Sequence, residues 1–92
     1  MIGSLTLATL LAVAPVEKPM TAPGPEGLLA GTLLEAGNGA PLVLIIPGSG
    51  PTDRDGNNAM GVTAAPYRLL AEGLAGNGIS SVRIDKRGMF GS

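Results

Sequence analysis

Three observations in this 92-residue chain predict an α/β fold built on a parallel pair of strands. Residues 42–46 (LVLII) are apolar at every position, the pattern of a strand covered on both faces, as in parallel sheets flanked by helices. Residues 63–78 place apolar side chains at spacings of three and four, the repeat of an amphipathic helix. Residues 79–85 (ISSVRID) are β-branched and then polar, so strand, loop, helix and strand follow one another as in a right-handed βαβ crossover.

The elements can be justified in order. Residues 1–14 (MIGSLTLATLLAVA) run apolar from Leu5 and finish in Ala12-Val13-Ala14, the small-x-small ending that signal peptidase accepts. Ten apolar residues cannot span a bilayer. They suit the apolar core of a signal peptide, although only the α-amino group supplies positive charge ahead of them. The expectation is a candidate signal peptide over 1–14 and a periplasmic or secreted location. The alternative is a cytoplasmic chain with a frayed terminus or an extra edge strand.

Four prolines between Pro15 and Pro25 make residues 15–27 an extended lead-in. Residues 28–35 (LLAGTLLE) read as a strand interrupted by Gly31. The turn 36–39 (AGNG) is rich in residues that tolerate positive φ, so a hairpin with 42–46 is predicted. In the helix, Tyr67, Leu70, Ala71, Leu74 and Ala75 form the apolar stripe. Thr63 is the candidate cap, Pro66 sits near the first turn, and Gly76-Asn77-Gly78 is the stop.

Composition removes several classes of function. The net charge is −1 and the six Lys and Arg do not cluster, so no basic surface is available for nucleic acid. There is no cysteine, which excludes disulfides and thiolate metal sites. There is no histidine either, which removes the usual general base at neutral pH and the commonest metal ligand. No metal or cofactor is expected.

The chemistry concentrates in the loop IIPGSGPTDRDGN, which follows the apolar strand at the carboxyl end where open α/β sheets place ligands. A phosphate-binding P-loop fails, because Asp53 stands where the second glycine is needed and no lysine follows. A dinucleotide fingerprint matches at Gly48 and Gly50 but also meets Asp53 where glycine is required. An EF-hand aligned on Gly56 puts Pro51 and Val62 at positions that need carboxylates. A nucleophile elbow centred on Ser49 would need glycines at 47 and 51, and both are proline. An oxyanion loop survives. Acyl transfer needs N–H donors fixed where charge develops on the carbonyl oxygen, each worth about 3–4 kcal/mol, and Gly48-Ser49-Gly50 between two prolines can present them. A tight turn without catalytic duty is the alternative on composition alone. Asp53, Asp55 and Asn57 are expected to organise the loop by accepting backbone N–H bonds rather than to hold a metal.

The segment LVLIIPGSGPTDRDGN, then YRLLAEGLAGNG, then SVRIDKRGMFGS resembles the amino-terminal part of the α/β-hydrolase fold, in its serine-aminopeptidase-like or dienelactone-hydrolase-like branch. The resemblance covers residues 22–92. It implies that the backbone N–H of Ser49, with Gly50 close by, occupies the oxyanion position. Pro47 stands where many relatives carry the His of an HG motif, which leaves the donor backbone intact. The turn Asp85-Lys86-Arg87-Gly88 is similar to the family's D-x-R-G-x-G-x-S turn, with Ser92 in register and Phe90 in place of a glycine. Arg87 is expected to be structural.

In that fold the nucleophile elbow, the acid and the histidine come later in the chain. What the resemblance implies is therefore the oxyanion part of a hydrolase acting on a small-molecule or peptide acyl substrate, an ester, thioester or peptide. These residues alone would be inactive. The competing expectation is a non-catalytic binding module, or one half of a split protein completed by a partner chain that pairs with an exposed strand edge.

Overall fold

The computed structural model describes residues 15–92. The candidate signal segment 1–14 lies outside the described residues. Four strands form one mixed sheet in the order β1-β2-β4-β3. In chain order the elements are β1 (Val16–Ala22), β2 (Leu29–Glu35), β3 (Leu42–Ile45), α1 (Pro66–Gly76) and β4 (Ser80–Ile84).

The proline-rich lead-in is more than an extended arm. It forms β1, which pairs antiparallel with β2 from Val16↔Glu35 to Ala22↔Leu29. Proline is tolerated at a sheet edge, where one side of the strand needs no ladder partner, and β1 is an edge strand with Pro19 inside it.

The hairpin expected between 28–35 and 42–46 does not form. β2 takes β4 as its second neighbour, antiparallel from Gly31↔Ile84 to Leu34↔Ser81. β3 lies beyond β4 and runs parallel to it, from Leu42↔Ser80 to Ile45↔Arg83. The physical reason lies in Ser80. Its hydroxyl accepts the N–H of Ala36 at 2.9 Å and its own N–H donates to the carbonyl of Pro41 at 2.8 Å. Both ends of the 36–41 connection are thereby fixed to the start of β4, and the chain crosses one strand position instead of folding back.

The helix starts without the Thr63 cap. Ala65 stands at the cap in the left-handed region (φ 52°), with no side-chain cap of its own. Donors at this end are served from the preceding loop instead: Ala65 N–H donates to Asn57 Oδ1 at 2.8 Å and Tyr67 N–H to the carbonyl of Asp55 at 3.0 Å. The stop is as the sequence indicates. The N–H groups of Asn77, Gly78 and Ile79 close on the carbonyls of Leu74 and Ala75, with Gly78 at φ 78°.

Leu34, Ile45, Ala71 and Ala75 make the core, with Tyr67 and Leu74 packed against it. Two alanines on the buried face let the helix sit close to β2 and β4. Leu70, expected in the stripe, is half exposed. β3 also departs from its expected burial on both faces: it is an edge strand, and Leu42 and Leu44 are 62% and 57% exposed. Among the described residues α1 is the only helix, so just one sheet face is covered.

Candidate functional site

Because β3 and β4 are parallel neighbours, their carboxyl ends emerge side by side. The loop 46–65 leaves one and the turn 85–91 leaves the other. Open α/β sheets bind ligands at this position, and here the two connections are stitched together by side chains.

Asp85 is the fixed point. It is 2% exposed, and its carboxylate accepts four N–H bonds: from Arg54 N at 2.8 Å, Arg54 Nε at 3.2 Å, Arg54 Nη2 at 2.8 Å and Gly91 N at 3.0 Å. Burial pushes this carboxyl up, but the Arg54 guanidinium, with the Gly91 and Arg54 backbone N–H groups, more than offsets it and holds the pKa below the ordinary carboxylate value. Arg54 also donates to Thr32 Oγ1 at 3.0 Å, reaching β2. Ser92 closes the turn onto the same strand. Its hydroxyl accepts Ala30 N–H at 2.9 Å and donates to the carbonyl of Asp85 at 2.7 Å. Phe90 has φ 50°, the left-handed region that glycine would occupy without strain. Arg87 faces Glu26 at 3.9 Å on the outside of the turn.

Asp53 shapes the next stretch. Its Oδ1 accepts the N–H groups of Asp55 and Asn57, both at 2.9 Å, while its carbonyl accepts Gly56 N–H at 3.0 Å. Asn57 extends the scaffold to the helix start, as described above. Gly56 is required where it stands: it has φ 87°, and a Cβ would lie 2.8 Å from Pro66 Cγ. Asp55 behaves differently from the sequence expectation. Its carboxylate takes no backbone N–H but sits 3.3 Å from Arg83 Nη2.

The glycine segment is held from outside. Tyr67 Oη accepts Gly48 N–H at 3.3 Å, and the Lys86 ammonium donates to the carbonyls of both Gly48 and Gly50. Thr52 Oγ1 donates to the carbonyl of Ser49 at 3.4 Å. The chain has no cis peptide bond among the described residues. In a trans peptide plane the C=O of one residue and the N–H of the next point in opposite directions. The N–H of Ser49 therefore points away from Lys86, and that of Gly50 away from Thr52. Among the described residues neither donates to any acceptor, and both residues are exposed. Gly50 has φ 79°, with nothing within 4 Å of where a Cβ would stand.

Beside these connections lies an open cleft of about 340 Å³, lined by charged residues of β1, the loop, α1 and β4. At its wall Arg83 is 2% exposed, with Nη2 3.3 Å from Asp55 and 3.6 Å from Glu17. Among the described residues its Nε and Nη1 have no hydrogen-bond partner. No group of three or more acidic or other metal-ligating side chains gathers among the described residues.

Sequence reasoning placed Gly48, Ser49, Gly50, Asp53, Asp55 and Asn57 in one loop, and the structure brings them to the carboxyl end of β3. It missed Lys86, Tyr67 and the Arg54–Asp85 pair, which hold that loop. The one available signal was the charge pair written into PTDRDGN and DKRG, each at the end of an apolar strand. Chemically, the arrangement presents two backbone donors with no acceptor among the described residues, on a segment held by the Lys86 ammonium and the Tyr67 hydroxyl.

No protein-family model matches this chain, and no curated protein sequence matches it.

Proposed function

We propose that these residues form the oxyanion-binding part of an α/β-hydrolase-type acyl-transfer site acting on carboxylic ester, thioester or peptide acyl bonds. The observation that carries this reading is the pair of N–H groups at Ser49 and Gly50 that have no acceptor among the described residues, exposed at the carboxyl end of a parallel strand while the carbonyls around them are tied down. When a nucleophile adds to an acyl carbon, the carbonyl oxygen gains negative charge. Donors already in place stabilise that charge without reorganising. The backbone supplies them here, so the Ser49 hydroxyl has no role in the chemistry. With no histidine in the sequence, the nucleophile and its base come from outside these 92 residues.

The test is a pair of substitutions in the full hydrolase of this proposal, one polypeptide carrying these residues together with nucleophile and histidine. Ser49→Ala keeps the N–H and should retain most ester turnover. Gly50→Val places a β-branched side chain at φ 79° and should lower kcat by about 10²–10³, the effect of losing one oxyanion donor. Loss of turnover in Ser49→Ala at an unchanged Tm would make the hydroxyl the working group and end the backbone assignment.

A second reading has its own support. Among the described residues β3 is an open edge, with Leu42, Leu44 and, just beyond it, Ile46 exposed, the surface that a complementary chain would pair with in a split arrangement.

A further inference from the structure

The side chain that holds the glycine segment comes from the other connection. Lys86 lies 38 residues from Gly48 and 36 from Gly50, yet its ammonium meets both carbonyls. An ammonium offers three donors and no acceptor, so two can be used here at once. Each bond has a different consequence. At Gly48 it fixes the peptide plane whose opposite end is the Ser49 N–H. At Gly50 it joins the N–H of Thr52, 2.9 Å from the same carbonyl, on a plane that ends in Pro51 and carries no N–H, so this bond restrains Gly50 itself. Among the described residues nothing else holds the Gly48 carbonyl. Tyr67 holds only the preceding plane, through Gly48 N–H.

We infer that Lys86 is a positioning residue that aims the Ser49 and Gly50 N–H groups by clamping the carbonyls on either side of them. This rests on the oxyanion reading for its catalytic meaning, but the clamp itself can be measured without turnover. Removing the ammonium would free a plane in a solvent-exposed, glycine-flanked loop, so the donor would remain present but would no longer be aimed. Orientation of that kind acts on the transition state rather than on substrate binding.

Two measurements separate the clamp from the oxyanion reading. In the 92-residue chain, ¹⁵N relaxation should give Ser49 and Gly50 amide order parameters near the rigid value of about 0.85, falling below about 0.6 in Lys86→Met and returning in Lys86→Arg, with α1 and β4 amides unchanged in all three. In the full hydrolase, Lys86→Met should lower kcat for a p-nitrophenyl ester by about 10-fold to 10²-fold with little change in KM, and Lys86→Arg should restore most of it. Rigid loop amides in Lys86→Met, or already mobile ones in the unaltered chain, would overturn the clamp. Loosened amides together with an undiminished kcat in both Lys86→Met and Gly50→Val would leave the clamp standing and overturn the oxyanion reading.

Discussion

The two halves of the loop after β3 treat their backbone N–H groups in opposite ways. From Asp53 to Asn58 every N–H has an acceptor: the carbonyls of Asn57, Asp53 and Val62, the Asp53 carboxylate twice, and the Asp85 carboxylate. From Gly48 to Gly50 only the first N–H has an acceptor among the described residues. The acidic half contains its own acceptors, so it folds on itself and onto β4. The glycine half has no side-chain acceptor except a serine hydroxyl, and it is held through its carbonyls by Lys86 and Thr52. A segment tied by its carbonyls keeps its donors for something else. One half spends its donors on holding the loop together, and the other is the half we propose for recognition.

The largest expected effect falls on the stabilising half. Asp85→Ala leaves the Arg54 guanidinium, itself mostly buried, without its counter-charge, and breaking a buried pair costs about 3–5 kcal/mol. Denaturant unfolding of the chain should show this as a large drop in midpoint or as loss of the cooperative transition. The same pair sets an acid limb. Since the folded state holds the Asp85 pKa below its ordinary value, this stabilisation is complete above about pH 3.9 and is lost as the pH falls through the lower folded-state value. Asp85→Asn should flatten that part of the stability profile. An acid limb unchanged in Asp85→Asn would show that another carboxylate carries it.

A smaller effect belongs to Asp53. Replacing it by Ala leaves the N–H groups of Asp55 and Asn57 without their acceptor in a half-buried setting, worth about 1–2 kcal/mol. Faster hydrogen exchange at those two amides, with Ser49 and Gly50 unaffected, would sharpen the contrast between the halves. Equal acceleration across 48–58 would break it, because the loop would then be one cooperative unit.

Much of this architecture is legible in the letters. The apolar run of β3, the three-and-four spacing of α1 and the β-branched β4 are local patterns, and these three elements form where their patterns predict, whereas β1 forms in a proline-rich segment that carries no strand period. The loop's position follows, because a strand before it and a helix after it put it at a carboxyl end. What the letters hide is pairing at a distance. AGNG says that the chain turns, but Ser80, more than forty residues on, decides which strand lies beside β2. Lys86 and Arg87 read alike in DKRG, yet one reaches back to the glycine segment while the other faces Glu26 outside. Arg83 reads as a polar interruption in a strand, and its burial beneath the loop is set by Asp55 and Glu17, which approach from two other parts of the chain. Thr63 fails as a cap because Asn57 and Asp55 reach the helix start first.

We propose that Ser49 and Gly50 give their backbone N–H groups to an oxyanion. The most direct measurement is the amide proton chemical shift of these two residues before and after the full hydrolase is labelled on its nucleophile by a phosphonate ester, whose phosphoryl oxygen stands where the oxyanion would form. One or both signals should move downfield on labelling, as expected of an N–H that gains a charge-assisted bond, while the amides of Asp55 and Asn57 stay in place. Signals of Ser49 and Gly50 that do not move in a fully labelled, inactive enzyme would contradict it.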